Sequence, residues 1–174
     1  MNKTFRKRVL LVSILLIVTL GVWLSLPSSR ESPIDKAERM LSIRLPHGTT
    51  QLLQEHSGAG IPIPGGASDA VFKMVLIIPV DQRESFAEAL AQSDLWQALP
   101  ISGEYVSLAK FNLSKLEGRT DEAITIGDVN GFFLLHDYGK KRSTKPFAER
   151  GTYNFTLGVF DRDSGKLYIY FTTV

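Results

Sequence analysis

The 174-residue chain contains no cysteine. That excludes disulfide staples, a thiolate nucleophile, a thiolate metal site and lipid attachment through an N-terminal cysteine. Histidine is scarce: His47, His56 and His136 are the only three, and no pair has the i,i+4 spacing of a helical metal site. Also missing are His-Glu-x-x-His, Gly-x-Ser-x-Gly, Ser-Asp-Asn and Lys-Thr-Gly, each of which would place a zinc, an elbow serine or a penicillin-type site. Repeats and low-complexity tracts are absent as well. Neither a metal nor a cofactor is expected.

Charge is lacking in one place above all. From Val9 to Leu26 there are 18 residues without a charged side chain. As a helix rising 1.5 Å per residue they span roughly 27 Å, close to a hydrocarbon core of about 30 Å. A secretory signal has a shorter apolar core, roughly 7 to 15 residues, ending in a small-x-small cleavage site. Here the exit reads Trp23-Leu24-Ser25-Leu26-Pro27-Ser28-Ser29, which offers no good site, and Trp23 lies where an interfacial aromatic belongs. The expectation is an uncleaved transmembrane signal anchor over residues 9–26, with a cleaved signal peptide as the alternative.

Lys3, Arg6, Lys7 and Arg8 precede the run, whereas only Arg30, beside Glu31, follows closely. The positive-inside rule then puts residues 1–8 in the cytoplasm, makes 27–32 a linker, and sends 33–174 across the membrane as one extracytoplasmic domain. A bacterial inner membrane with a periplasmic domain suits this arrangement. The basic pI is reinterpreted by the same division. Of 20 Lys and Arg, 4 belong to the tail, and the other 16 face 18 Asp and Glu, giving about −2 beyond the membrane. A nucleic-acid partner is not expected.

What is present reads as an α+β domain. Ser32 as N-cap, Pro33 at the first position and Asp35 in the first turn predict a helix with Ile34, Ala37, Leu41 and Leu45 on one face, stopped by Pro46 and Gly48. Thr49–His56 suits a strand, and "SGAGIPIPGGAS" is irregular. "DAVFKMVLIIPV" is apolar on both faces, as a covered central strand would be. "DQRESFAEALAQSDLW" predicts a second helix, with Asp81 and Glu84 as a capping box and Phe86, Ala89 and Leu90 inward. Tyr105–Leu116 is ambiguous between strand and helix. Ala123–Ile126 and Gly131–His136 suit strands. "YNFTLGVF" and "KLYIYF", joined by "DRDSGK", predict a β-hairpin with Gly165 at positive φ. Tyr153, Phe155, Leu157 and Val159 share one face of its first strand. Leu167, Ile169 and Phe171 point inward from the second, with Tyr168 and Tyr170 outward. The expected architecture is a mostly antiparallel sheet with two or three helices.

Chemistry is thinner. Ser107-Leu108-Ala109-Lys110 fits Ser-x-x-Lys, in which a helical turn brings an amine beside a hydroxyl, but its companion motifs are missing. His136 and Asp137, adjacent in a strand, point to opposite faces. Asp161-x-Asp163-x-Gly165 opens like a calcium loop and then breaks, with Gly at position five, so a plain turn is expected. Loop length carries more weight, because connections beyond roughly 12 residues tend to be functional or disordered. "DYGKKRSTKPFAERG" is such a connection, and it holds Lys140, Lys141, Arg142, Lys145 and Arg150 against Asp137 and Glu149. Lys140, Lys141, Arg142 and Lys145 are the candidate partner-binding residues, for an envelope protein or an anionic polymer or lipid. A solvated loop is the plainer reading. "GIPIPGG" presents Ile61 and Ile63 between prolines as a second candidate contact, or folds them back over the sheet.

Taken together, the expectation is a single-pass, membrane-anchored binding domain of the cell envelope without an identifiable reaction. An immunity or inhibitor protein is one version of it. The alternative is a small envelope hydrolase whose site assembles only in the fold.

Overall fold

The structure, a computed structural model, describes residues 31–57, 70–119, 123–140, 144–150 and 154–173. The expected anchor at 9–26, the tail at 1–8, Ile61, Ile63, Lys141, Arg142 and Tyr153 lie outside the described residues. Among the described residues no helix is long and apolar enough to cross a membrane.

Six strands form, with apolar alternation clearest in the last two. They are β1 (Thr50–Ser57), β2 (Ala70–Ile77), β3 (Gln97–Ala98), β4 (Gly131–Asp137), β5 (Asn154–Asp161) and β6 (Lys166–Thr173). They pair in the order β1-β2-β6-β5-β4-β3, and every neighbour is antiparallel. The α+β class with a mostly antiparallel sheet is therefore what these residues form. Two α-helices, α1 (Pro33–Leu41) and α2 (Arg83–Ala91), accompany the sheet.

Helix α1 starts where its punctuation places it but ends one turn before Leu45. Ser42 takes φ 52°, and the Ile43 N–H reaches back to the Glu38 carbonyl at 3.2 Å, a Schellman-type ending. The Glu38 carboxylate then accepts from the Leu45 N–H at 2.8 Å and folds the exit back on the helix. Helix α2 lacks the expected capping box. A 3₁₀ turn at Val80–Gln82 precedes it, Gln82 stands at the N-cap without a side-chain bond, and Asp81 falls one residue too early. Its buried residues are Phe86, Ala87 and Leu90, so Ala87 replaces the expected Ala89, which is exposed.

Both faces of the sheet are covered. On one, Ala37 and Leu41 of α1, Phe86, Ala87 and Leu90 of α2, and Trp96 pack on Phe72, Met74, Leu76, Leu134, Phe160, Leu167 and Ile169. Gly158 permits this closeness, since a Cβ there would lie 2.7 Å from Leu41 Cδ2 and 2.9 Å from Trp96 Cη2. The opposite face carries Val75, Phe133, Phe155, Leu157, Val159 and Tyr168 under Ile101, Leu108, Leu113, Leu116, Ile126 and Phe147. These covering residues come from irregular chain and from 3₁₀ segments at Gly103–Lys110, Ser114–Glu117, Ile126–Asp128 and Phe147–Glu149. Tyr168 is thus only 2 % exposed, and the expectation that it points to solvent fails because its face is a second core.

Residues 105–116 resolve as 3₁₀ chain, and the strand expected at 123–126 shrinks to one bridge between Asn112 and Thr125. Asp128 explains the break: its carboxylate accepts from the Thr125 N–H at 2.9 Å and the Thr125 hydroxyl at 2.8 Å, a capping box that starts the next turn. The predicted hairpin is β5–β6. Gly165 has φ 71°, its N–H bonds to the Asp161 carbonyl at 2.8 Å, and the Asp161 carboxylate accepts from the Asp163 N–H at 3.1 Å. Arg83, opening α2, donates to the Asp163 carbonyl at 2.7 Å, and Arg162 pairs with Glu84, so helix and hairpin tip are tied. Pro33–Val174 forms one unit.

Candidate functional site

Strands β4 and β5 pair down to Asp137 and Phe155, and the Tyr138 N–H extends the ladder to the Asn154 carbonyl at 2.9 Å. The connection between them has a built base. Asp137 and Arg150, at its two ends, form an ion pair at 2.5 Å with side chains only 4 % and 6 % exposed. The second Asp137 oxygen accepts from the Gly139 N–H at 3.0 Å, and Arg150 Nε donates to the Lys145 carbonyl at 3.1 Å. Phe147 is the apolar anchor, edge-on to Tyr105 at 5.6 Å and to Phe155 at 5.4 Å, with the Arg150 guanidinium 5.6 Å from its ring. Two of the charges that the sequence assigns to a solvated or partner-binding loop, Asp137 and Arg150, are therefore internal fasteners.

Of the candidate contact residues, Lys140 and Lys145 are described, and both are exposed. Lys140 Nζ lies 2.8 Å from Glu104 Oε1 and 3.5 Å from the Tyr105 hydroxyl, which docks the start of the connection on the 103–110 segment. The hydrogen bond to Glu104 raises the Lys140 pKa, and the same bond lowers that of Glu104. Lys140 remains cationic at any physiological pH. Lys141 and Arg142 lie outside the described residues.

Beside this edge runs an apolar groove of about 360 Å³, lined by Leu108, Phe111, Phe147, Phe155, Tyr170 and Thr172, with Ser107 and Ala148 at its margin. Phe111 and Phe155 flank Tyr170 at 5.2 and 5.8 Å. The Thr172 hydroxyl is buried in this lining and has no hydrogen-bond partner among the described residues. Sequence reasoning missed the groove, because three of its eight lining residues, Ser107, Leu108 and Phe111, come from the stretch that is ambiguous by periodicity. Its aromatics are scattered along the chain, with Phe111 inside the ambiguous stretch, Phe147 inside the long connection and Tyr170 in β6, so no local pattern announces it.

Ser107 rides the 3₁₀ segment at the groove margin, and no hydrogen bond joins it to Lys110, which is exposed. Among the described residues the imidazoles of His47 and His136 bond to no hydroxyl, and no group of three or more His, Asp and Glu converges as a metal site requires. His136 instead lies 5.9 Å from the Tyr138 ring. A buried polar cluster that the sequence does not announce joins Glu117 to Lys166 Nζ and the Tyr168 hydroxyl, each at 2.7 Å. Burial alone would raise the Glu117 pKa, but the bonds from Lys166 and Tyr168, with the Lys166 and Arg119 charges, outweigh it and hold the carboxyl below its ordinary range. Tyr168 moves upward, from burial first and its bond to Glu117 second. This cluster fastens the Ser114–Glu117 turn to β6.

Comparison with protein-family models found no match, and comparisons with curated proteins and with solved structures found no significant one.

Proposed function

We propose that the chain is a single-pass protein of the bacterial inner membrane, anchored by residues 9–26, whose periplasmic domain binds another envelope protein or an anionic envelope polymer. The anchor reading rests on the 18-residue uncharged run and the four basic residues before it. The observation that carries the binding reading is the edge formed by the β4–β5 connection. Exposed Lys140 and Lys145 stand beside an aromatic groove with no carboxylate in its lining. Cations of this kind steer an acidic partner, while rings and apolar contacts hold it. An immunity or inhibitor protein is a specific version of this reading. No observation favours the hydrolase, since Ser107 and Lys110 are not bonded to each other.

The test is an affinity pull-down from detergent-solubilised membranes with the wild-type chain and with Lys140→Glu, Lys141→Glu and Arg142→Glu combined. The wild type retains a partner, and the triple variant loses it at unchanged melting temperature. Retention weakens between 0.1 and 1 M salt, because the Debye length falls from about 10 Å to about 3 Å. Equal capture by both chains without a salt effect refutes the binding role of the connection. Alkaline carbonate extraction with intact-mass measurement tests the anchor separately, and a soluble form beginning near Ser28–Glu31 refutes it.

A further inference from the structure

The helical face of the sheet carries a second concavity, distinct from the groove. Phe72, Phe171, Thr156 and His136 stand opposite one another across β2, β6, β5 and β4. Phe72 and Thr156 are buried, Phe171 and His136 are half-buried, and a cleft of about 260 Å³ remains beside helix α1. Phe72 and Phe171 form its floor, Lys36, Arg39 and Met40 its helical wall, and Tyr138 and Thr156 its far side. The Tyr138 and Thr156 hydroxyls are 3.3 Å apart, and Lys36 Nζ sits 3.7 Å from the centroid of the Phe72 ring. Two cations and the Tyr138 hydroxyl, backed by the buried Thr156, thus meet beside the half-buried Phe171, with no carboxylate in the lining. Asp35 and Glu38 line a separate hollow on the other side of Arg39. The chemistry is that of a site for an anion carried on an apolar body: the two cations and the Tyr138 hydroxyl meet a phosphate, and Phe171 and Met40 meet the glycerol and first methylenes.

Chain length selects the source of such a ligand. Six residues, Pro27–Ser32, separate the end of the uncharged run from α1 and reach at most about 20 Å. Lys36 and Arg39 lie within the first seven residues of α1. The cleft is therefore tethered within reach of the bilayer, where effective lipid concentrations are in the millimolar range and a weak site is filled. The part of the chain beyond the run carries about −2 overall, so general charge does not draw it to an anionic surface and a local site is required.

We propose that this cleft holds the headgroup of an anionic phospholipid from the membrane in which residues 9–26 are anchored. It rests on the anchor reading above. The full-length chain is incorporated into nanodiscs of phosphatidylcholine alone or with increasing phosphatidylglycerol, and backbone hydrogen exchange of residues 33–41 is followed. Protection rises with phosphatidylglycerol. Lys36→Gln needs about fivefold more of it for half-maximal protection, the effect of one basic side chain near a surface. Arg44→Gln, just beyond the end of α1 and outside the cleft, behaves as wild type. Thermal melting of each variant confirms folding, and Tyr138→Phe, which removes one hydroxyl only, provides an independent weaker effect. Equal protection in both lipids, or an equal loss in Arg44→Gln, overturns the proposal while leaving the anchor intact. A chain that fails to enter nanodiscs overturns the anchor reading and this one with it. Equal protection by free inorganic phosphate identifies a simple anion site and overturns the lipid assignment.

Discussion

Replacing Arg150 with methionine leaves the Asp137 carboxylate, 4 % exposed, with the Gly139 N–H as its one remaining bond among the described residues. Removing one member of a buried ion pair costs about 3–5 kcal/mol, mainly the penalty of an uncompensated buried charge. Arg150 also loses its bond to the Lys145 carbonyl and its packing against Phe147, which keeps the cost toward the upper part of that range. For a domain of this size each kcal/mol lowers Tm by about 3 °C, so a fall of about 10 °C or more is expected. Asp137→Ala leaves the guanidinium buried and costs a similar amount. The double variant, with neither charge present, costs less than either single change, so the coupling in the cycle is at least as large as one single loss, about 3–5 kcal/mol. Urea denaturation of the 33–174 fragment, which comprises one compact unit, measures all four species. A single variant within about 1 kcal/mol of wild type, at unchanged m-value, refutes the claim that this pair closes the connection.

Glu117 supplies a pH dependence. Its folded pKa lies below the ordinary 4.5, so its contribution to stability is present above that value and is lost as pH falls through the folded one. Denaturation midpoints measured from about pH 5 downward fall for wild type and flatten for Glu117→Gln, and parallel curves refute the assignment. Gly165→Val costs about 1 kcal/mol or more, because its φ of 71° resists a β-branched residue and its Cβ would lie 2.2 Å from Arg83 Nε. An unchanged Tm refutes it. Gly158→Ala overpacks the contact with Leu41 and Trp96 and costs about 1–3 kcal/mol, read by the same melting assay; near-neutrality would mean that α1 shifts freely on the sheet.

The legible parts of the fold are those where local chemistry and tertiary packing agree. The alternation of Phe155, Leu157 and Val159 with the Gly165 turn predicts the β5–β6 hairpin, and the apolar run at 70–77 predicts a doubly covered strand. Tyr168 and Tyr170 misled for a definite reason. A phenol reads as an outward residue unless something covers it, and the cover here comes from 3₁₀ chain whose period of three matches neither a strand nor an α-helix. For the same reason residues 105–126 were ambiguous or misassigned. At the candidate site, the sequence located the basic connection through its length and charge but had no means of separating Arg150 from Lys140. Their difference lies in partners, Asp137 across the connection for one and Glu104 on a distant segment for the other.

The two coverings of the sheet differ in how they come apart. Helices α1 and α2 are nine residues each, and releasing either breaks a cooperative run of backbone bonds together with its packing. On the other side the described cover is four short 3₁₀ segments, each held by few backbone bonds and by individual anchors such as Phe147, Leu108 and Leu116. One anchor can lift without the next, and the sheet keeps its helical layer while it does so. The groove and the basic connection belong to this segmented side. Under the proposed binding role, a partner there would meet a surface held by separate anchors and backed by a continuous helical layer.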